Sequence, residues 1–124
     1  MIKPLTKLTR RPDITFRPDG SIDIVSRLAD SLALRPGDVI DIAADDRSGE
    51  YYLFVRYRNP PGNHFGRVYS PGRGKYMRCR SRLLTGIILR ACGAPKGQSA
   101  RFYTGYPVEQ EGTVYIPIIT SCRL

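Results

Sequence analysis

Between residues 73 and 82 the chain sets five cations and an aromatic within ten positions: Arg73, Lys75, Tyr76, Arg78, Arg80 and Arg82. On an extended strand alternate side chains share a face, so Tyr76, Arg78 and Arg80 project together, with Arg73 and Lys75 in the turn before them. Positive donors at fixed spacing on a rigid element are what a phosphate backbone requires. Arginine can also address a guanine edge through two hydrogen bonds, and tyrosine can pack on a sugar or base. The same pattern also suits an exposed sheet edge kept from self-association by its charge.

The remaining reactive types point away from catalysis and metals. The single histidine, His64, falls in a loop pattern with no third group to orient it toward Cys79, so a nucleophile–base pair is not expected. Asp38, Asp41, Asp45 and Asp46 lack the central glycine and final glutamate of a calcium loop and read as solvated strand-end charges. Cys79, Cys92 and Cys122 are odd in number and lack ligand spacing. They read as small apolar residues in a reduced, cytoplasmic setting. The expectation is no enzyme, no metal and no cofactor.

Charge sharpens the picture. The 124 residues carry a net +9. Residues 1–62 hold ten Lys/Arg against nine Asp/Glu, whereas residues 63–124 hold ten against only Glu109 and Glu111. A field so concentrated draws polyanions, nucleic acid foremost, although a solvated basic surface is the plainer alternative. Residues 1–12, with Lys3, Lys7, Arg10 and Arg11 between Pro4 and Pro12, read as a basic arm that either adds phosphate contacts or is merely solvated. No apolar run reaches membrane-spanning length, and no hydrophobic stretch follows the first basic residues as a secretory signal requires.

The elements that would position these residues recur. Ile14–Arg17 and Ser21–Ile24 alternate around the turn Pro18-Asp19-Gly20. A helix over 27–34 follows, with Ser26 as N-cap, and strands are expected over 39–43 and 51–57. Fifty-five residues on, Ser81 to Arg90 repeats Ser26 to Arg35 at five of ten positions. Strands over 75–80, 100–106 and 113–120 surround a helix over 82–91, with a turn at 109–112. The same offset places Met77 and Cys79 where Ile22 and Ile24 sit, so both copies keep their apolar phase while Ser21, Asp23 and Val25 become Tyr76, Arg78 and Arg80. An internal duplication of a β-β-α-β-β unit explains this pattern. Tyr51, Tyr52, Phe54, Tyr57, Tyr103, Tyr106 and Tyr115 fall within strand patterns and read as core and sheet wall.

The first unit, ending in Leu34-Arg35-Pro36-Gly37-Asp38-Val39-Ile40-Asp41-Ile42, resembles the AbrB/SpoVT/MraZ family of swapped-hairpin DNA-binding proteins. Strand, glycine turn, strand, short helix and this Pro-Gly-Asp signature are the shared grammar. The chain departs at Val25, where the family usually has Pro, and at Ser21, where it often has Arg or Lys. The resemblance implies a mostly β fold with two short helices, a swapped-hairpin barrel built from two repeats in one chain. The repeats would span 13–58 and 67–124, with a linker over 59–66. It also implies phosphate contacts from the hairpin cations and from Arg27 and Arg82 at the helix starts. The expected function is a non-enzymatic DNA-binding transcriptional regulator or antitoxin-like component. The alternatives are a protein-interaction or assembly module that keeps the barrel, and a binder of single-stranded RNA. Duplex DNA is the expected partner, with a homo-oligomer or a protein partner also compatible with the pattern.

Overall fold

Apolar alternation along short segments leaves each strand one greasy side, and the chain buries these sides together with the apolar faces of its helices in one core. The structure, a computed structural model, describes residues 12–72 and 76–121; Lys3, Lys7, Arg10, Arg11, Arg73, Lys75 and Cys122 lie outside the described residues. In chain order the elements are β1 (Ile14–Phe16), β2 (Ser21–Val25), α1 (Ser26–Ser31), β3 (Val39–Ala44), β4 (Tyr51–Tyr57), β5 (Tyr76–Arg80), α2 (Arg82–Ala91), β6 (Ala100–Phe102), β7 (Val108–Gln110) and β8 (Thr113–Ile118). The protein is mostly β with two helices. Its strands form two four-stranded antiparallel sheets, β5-β2-β1-β6 and β3-β4-β8-β7. Isolated bridges at Val39–Arg67, Tyr69–Arg78 and Thr104–Ile118 join their margins.

The core gathers Ile14, Phe16, Ile22, Ile24, Leu53, Cys79, Ile88 and Phe102, all fully buried and drawn from both sheets and α2. Phe16 and Phe102 meet edge to face at 6.0 Å between ring centres. Burial of each such side chain contributes about 1.5–3 kcal/mol as an upper estimate. Burial also pushes the Cys79 thiol up to about 12, so it acts as a small apolar group.

The two helices end alike but begin differently. Ser81 accepts a hydrogen bond from Leu84 N and caps α2, whereas Val25 precedes α1 without a side-chain cap. α1 also stops short of the expected residue 34. Ala33 turns left-handed (φ 49°), and Leu34 N donates to Ala29 O at 2.8 Å. Gly93 (φ 69°) closes α2 in the same way, with Ala94 N donating to Leu89 O at 3.0 Å. Glycine takes this conformation freely; alanine carries strain there.

Strand pairing relates the halves. β2 and β5 coincide under the fifty-five-residue offset and pair antiparallel, with Asp23 opposite its offset counterpart Arg78. β1 then pairs with β6 from the second half. The segment 66–69 in turn lies against β3 of the first: Gly37 N donates to Val68 O, Val68 N to Asp38 O, and Ile40 N to Gly66 O.

Two loop residues depart from expectation. Asp38 is buried, not solvated. It accepts hydrogen bonds from Arg35 N, Asn59 N and the Arg58 guanidinium, so the aspartate of Pro-Gly-Asp fastens the strand entry to the end of β4. Phe65, an aromatic in the 59–66 linker whose residue type favours packing, is 91% exposed.

Candidate nucleic-acid interface

Antiparallel partners point to the same side, so the register defines the outer face of the first sheet residue by residue. One row runs Arg101, Thr15, Asp23, Arg78, with Tyr69 bridged to Arg78 at the margin. The next runs Arg17, Ser21, Arg80, because Arg17 N donates to Ser21 O beyond the end of β1. Val25 stands opposite Tyr76 in the third. Arginines at four positions thus share this face with a central carboxylate, and two of them pair with it.

That carboxylate belongs to Asp23. It accepts Arg78 Nε at 2.6 Å and Arg78 Nη2 at 3.1 Å, and it is also paired with Arg17. Partial burial pulls its pKa up, but the hydrogen bonds from Arg78 and Arg17 outweigh this and hold it below the ordinary 3.8. The Asp23 hydrogen bonds raise the Arg78 guanidinium in return. Arg78 lies 5.7 Å from the centre of the Tyr76 ring, which fixes both side chains on one patch.

Arg80 and Arg82 are differently placed. Both are exposed, and among the described residues neither has a carboxylate within ion-pair distance. The Arg82 stem lies over the β1–β2 turn, where a Cβ on Gly20 (φ +93°) would come within 2.8 Å of Arg82 Cγ. In that turn Ser21 is buried and donates through N and Oγ to Asp19 at 2.8 and 2.6 Å. Serine after the glycine therefore does turn-building work. The Ser21 hydrogen bonds also hold the Asp19 carboxyl below its ordinary value.

Arg27 has a partner within the fold. Its sequence position opposes the helix dipole and suggests a phosphate contact. In the fold it pairs with the buried Asp13, whose other oxygen accepts Thr104 N and Oγ1 at 2.9 and 3.0 Å. Arg27 thus has a structural role that joins the halves. The offset counterpart of Asp13 is Val68, so Arg82 has no equivalent anchor.

Compared with family models, curated proteins and solved structures, the chain matches none of them. The reading of this face therefore rests on its own geometry.

Arg17 and Arg101 were not singled out from the sequence. Alternation in Ala100-Arg101-Phe102 could have exposed Arg101, since its neighbours are fully buried. Two other arginines are staples: Arg58 donates to Leu32 O and Ala33 O, and Arg67 donates to Gly37 O, Pro60 O and Gly62 O. His64 sits in an exposed loop, bonded to Pro61 O beside the Tyr57 ring, whereas Cys79 lies in the core. No group of three potential metal ligands occurs among the described residues, and no described helix is long and apolar enough to cross a membrane.

Proposed function

We propose that the chain is a non-enzymatic, duplex-DNA-binding protein of the swapped-hairpin kind, acting as a transcriptional regulator or antitoxin-like component. The observation that carries this reading is the outer face of the first sheet. There Arg78, Arg80 and Arg101 stand with Tyr76 on paired strands, and Arg82 adjoins them at a helix start. Rigid neighbouring strands space these cations as a phosphate backbone needs, and Arg73 and Lys75 precede them in the sequence. The crossed pairing of β1 with β6 and of 66–69 with β3 supports an interleaved pair of hairpins within one chain, although the strands form two open sheets and not the closed barrel expected.

A second reading has its own support. Asp23 neutralises part of the cationic patch, which suits a protein-interaction module that kept this scaffold without a nucleic-acid role. The two readings separate in a titration of duplex, single-stranded DNA and RNA of equal length at low salt. On the DNA reading, duplex binds best and Arg78→Ala with Arg80→Ala weakens it about tenfold or more. Unchanged duplex affinity in that double variant removes the site assignment, and preference for single strands replaces duplex by RNA or single-stranded DNA.

A further inference from the structure

The outer face of the second sheet is chemically the reverse of the first. Alternation sends Leu53, Ile116 and Ile118 inward, and Tyr52, Phe54, Tyr115 and Pro117 to the opposite side. The Tyr52 and Tyr115 rings meet at right angles, 6.5 Å between centres, and Phe54 tilts against Tyr115 at 5.1 Å. These rings are half-buried, and Val108 beside Tyr115 on the edge strand is 46% exposed. A cavity of about 240 Å³ opens between Tyr52, Tyr115, Val108, Gln110 and Asp45.

The border of this face is acidic. Asp41, Asp45, Asp46, Glu50 and Glu111 lie on its strands and hairpin turns, five of the chain's eleven carboxylates, whereas Glu109, opposite Val114, takes the other side. Only Arg47 and Arg56 oppose them there, and Arg56 is already paired with Asp41 at 2.6 Å. Tyr52 donates its hydroxyl to Glu50 Oε2 at 2.7 Å, which holds the ring upright beside the cavity. In a protein of net +9 these charges repel phosphate at this face and attract cations.

We propose that this face docks an arginine- or lysine-bearing segment of a partner protein, with one cationic side chain seated in the cavity against the Tyr52 and Tyr115 rings beside Asp45. Aromatic faces attract a guanidinium or ammonium through their negative quadrupole, and the bordering carboxylates supply the opposite charge. The inference is independent of the DNA reading, because the two faces belong to different sheets.

The test uses the full chain and a labelled peptide of alternating Gly and Arg, with a Gly-Glu peptide as control, read by fluorescence anisotropy. Tyr115→Leu keeps an apolar side chain without the ring. Asp45→Asn and Glu50→Gln keep the acceptor oxygens without the charge. The expected result is that Tyr115→Leu, and separately the Asp45→Asn/Glu50→Gln pair, each weaken the Gly-Arg peptide about fivefold. Arg80→Ala leaves that peptide's binding unchanged. Any Gly-Glu binding, drawn by the basic sheet, is indifferent to Tyr115→Leu. Equal Gly-Arg affinity in all variants, or loss in Tyr115→Leu alone with a collapsed thermal transition and no loss in the charge variant, overturns the proposal. Self-association abolished by Tyr115→Leu in a chain that ignores the Gly-Arg peptide also overturns it, since the occupant is then a second copy.

Discussion

Asp23 and Arg78 are related by the fifty-five-residue offset, and they face each other across the β2–β5 ladder. A strand pairing with an identical copy at that point would set like charge against like. Here the two halves differ, and the central position holds an aspartate bonded twice to an arginine. Arg27 and Arg82 show the same divergence. One is anchored on a buried carboxylate; the other is left exposed above a glycine turn. At these two offset positions the cations are assigned unequally: Arg27 joins parts of the molecule together, and Arg82 is presented to solvent.

The largest effect expected from breaking this contrast is on nucleic-acid binding. Arg80→Glu with Arg101→Glu turns two proposed phosphate contacts repulsive and weakens duplex affinity about a hundredfold at low salt. Arg47→Glu, on the second sheet's hairpin turn, changes it far less; equal loss would mean that net charge, not this face, governs binding. Next comes stability at the central pair. Asp23→Arg places like charges on adjacent strands and costs about 1–2 kcal/mol by denaturant unfolding, and the exchange Asp23→Arg/Arg78→Asp recovers most of it. Failure of the exchange to recover stability would show that the pair is incidental.

The Asp23 carboxyl also gives a pH signature. Its folded pKa lies below 3.8, so its ion pairs contribute stability above that value and lose it as pH falls through the lower folded value. Asp23→Asn therefore narrows the stability gap between neutral and strongly acid solution. The same variant strengthens duplex binding a few-fold by freeing Arg78, roughly the yield of one charge-assisted contact.

Smaller effects separate the helix-start arginines. Arg27→Ala removes a partner of buried Asp13 and costs about 1–2 kcal/mol of stability with little change in duplex binding. Arg82→Ala does the reverse, leaving stability nearly intact and weakening duplex binding a few-fold. Thermal melts and anisotropy on both variants check the exchange of roles. Smallest is Ala33→Gly, which gives α1 the terminus that Gly93 gives α2 and raises stability by about 0.5–1 kcal/mol.

Much of the scaffold was legible because it follows periodicity. β4 and α2 fall on the expected residues, and the shared phase of β2 and β5 emerged from the offset. α1 ran short because Ala33 adopts a backbone conformation its residue type does not announce. The turn expected over 109–112 begins two residues later, because Glu109 and Gln110 pair with β8 in an exposed edge strand whose sequence carries no apolar alternation. The tyrosines misled in another way. Alternation separates two sides of a strand but does not say which is dry, and Tyr106, expected in the wall, is 92% exposed. Asp23 was invisible as a clamp because the offset equates β2 with β5 without revealing that they are neighbours.

The most direct test of the central claim is the salt dependence of duplex affinity in the full-length chain. With about four or five phosphates contacted, log K falls against log salt with a slope of about −4, and Arg80→Ala reduces that slope by about one. A chain that ignores duplex at low salt, or binds it with a slope unaltered by Arg80→Ala, contradicts the account.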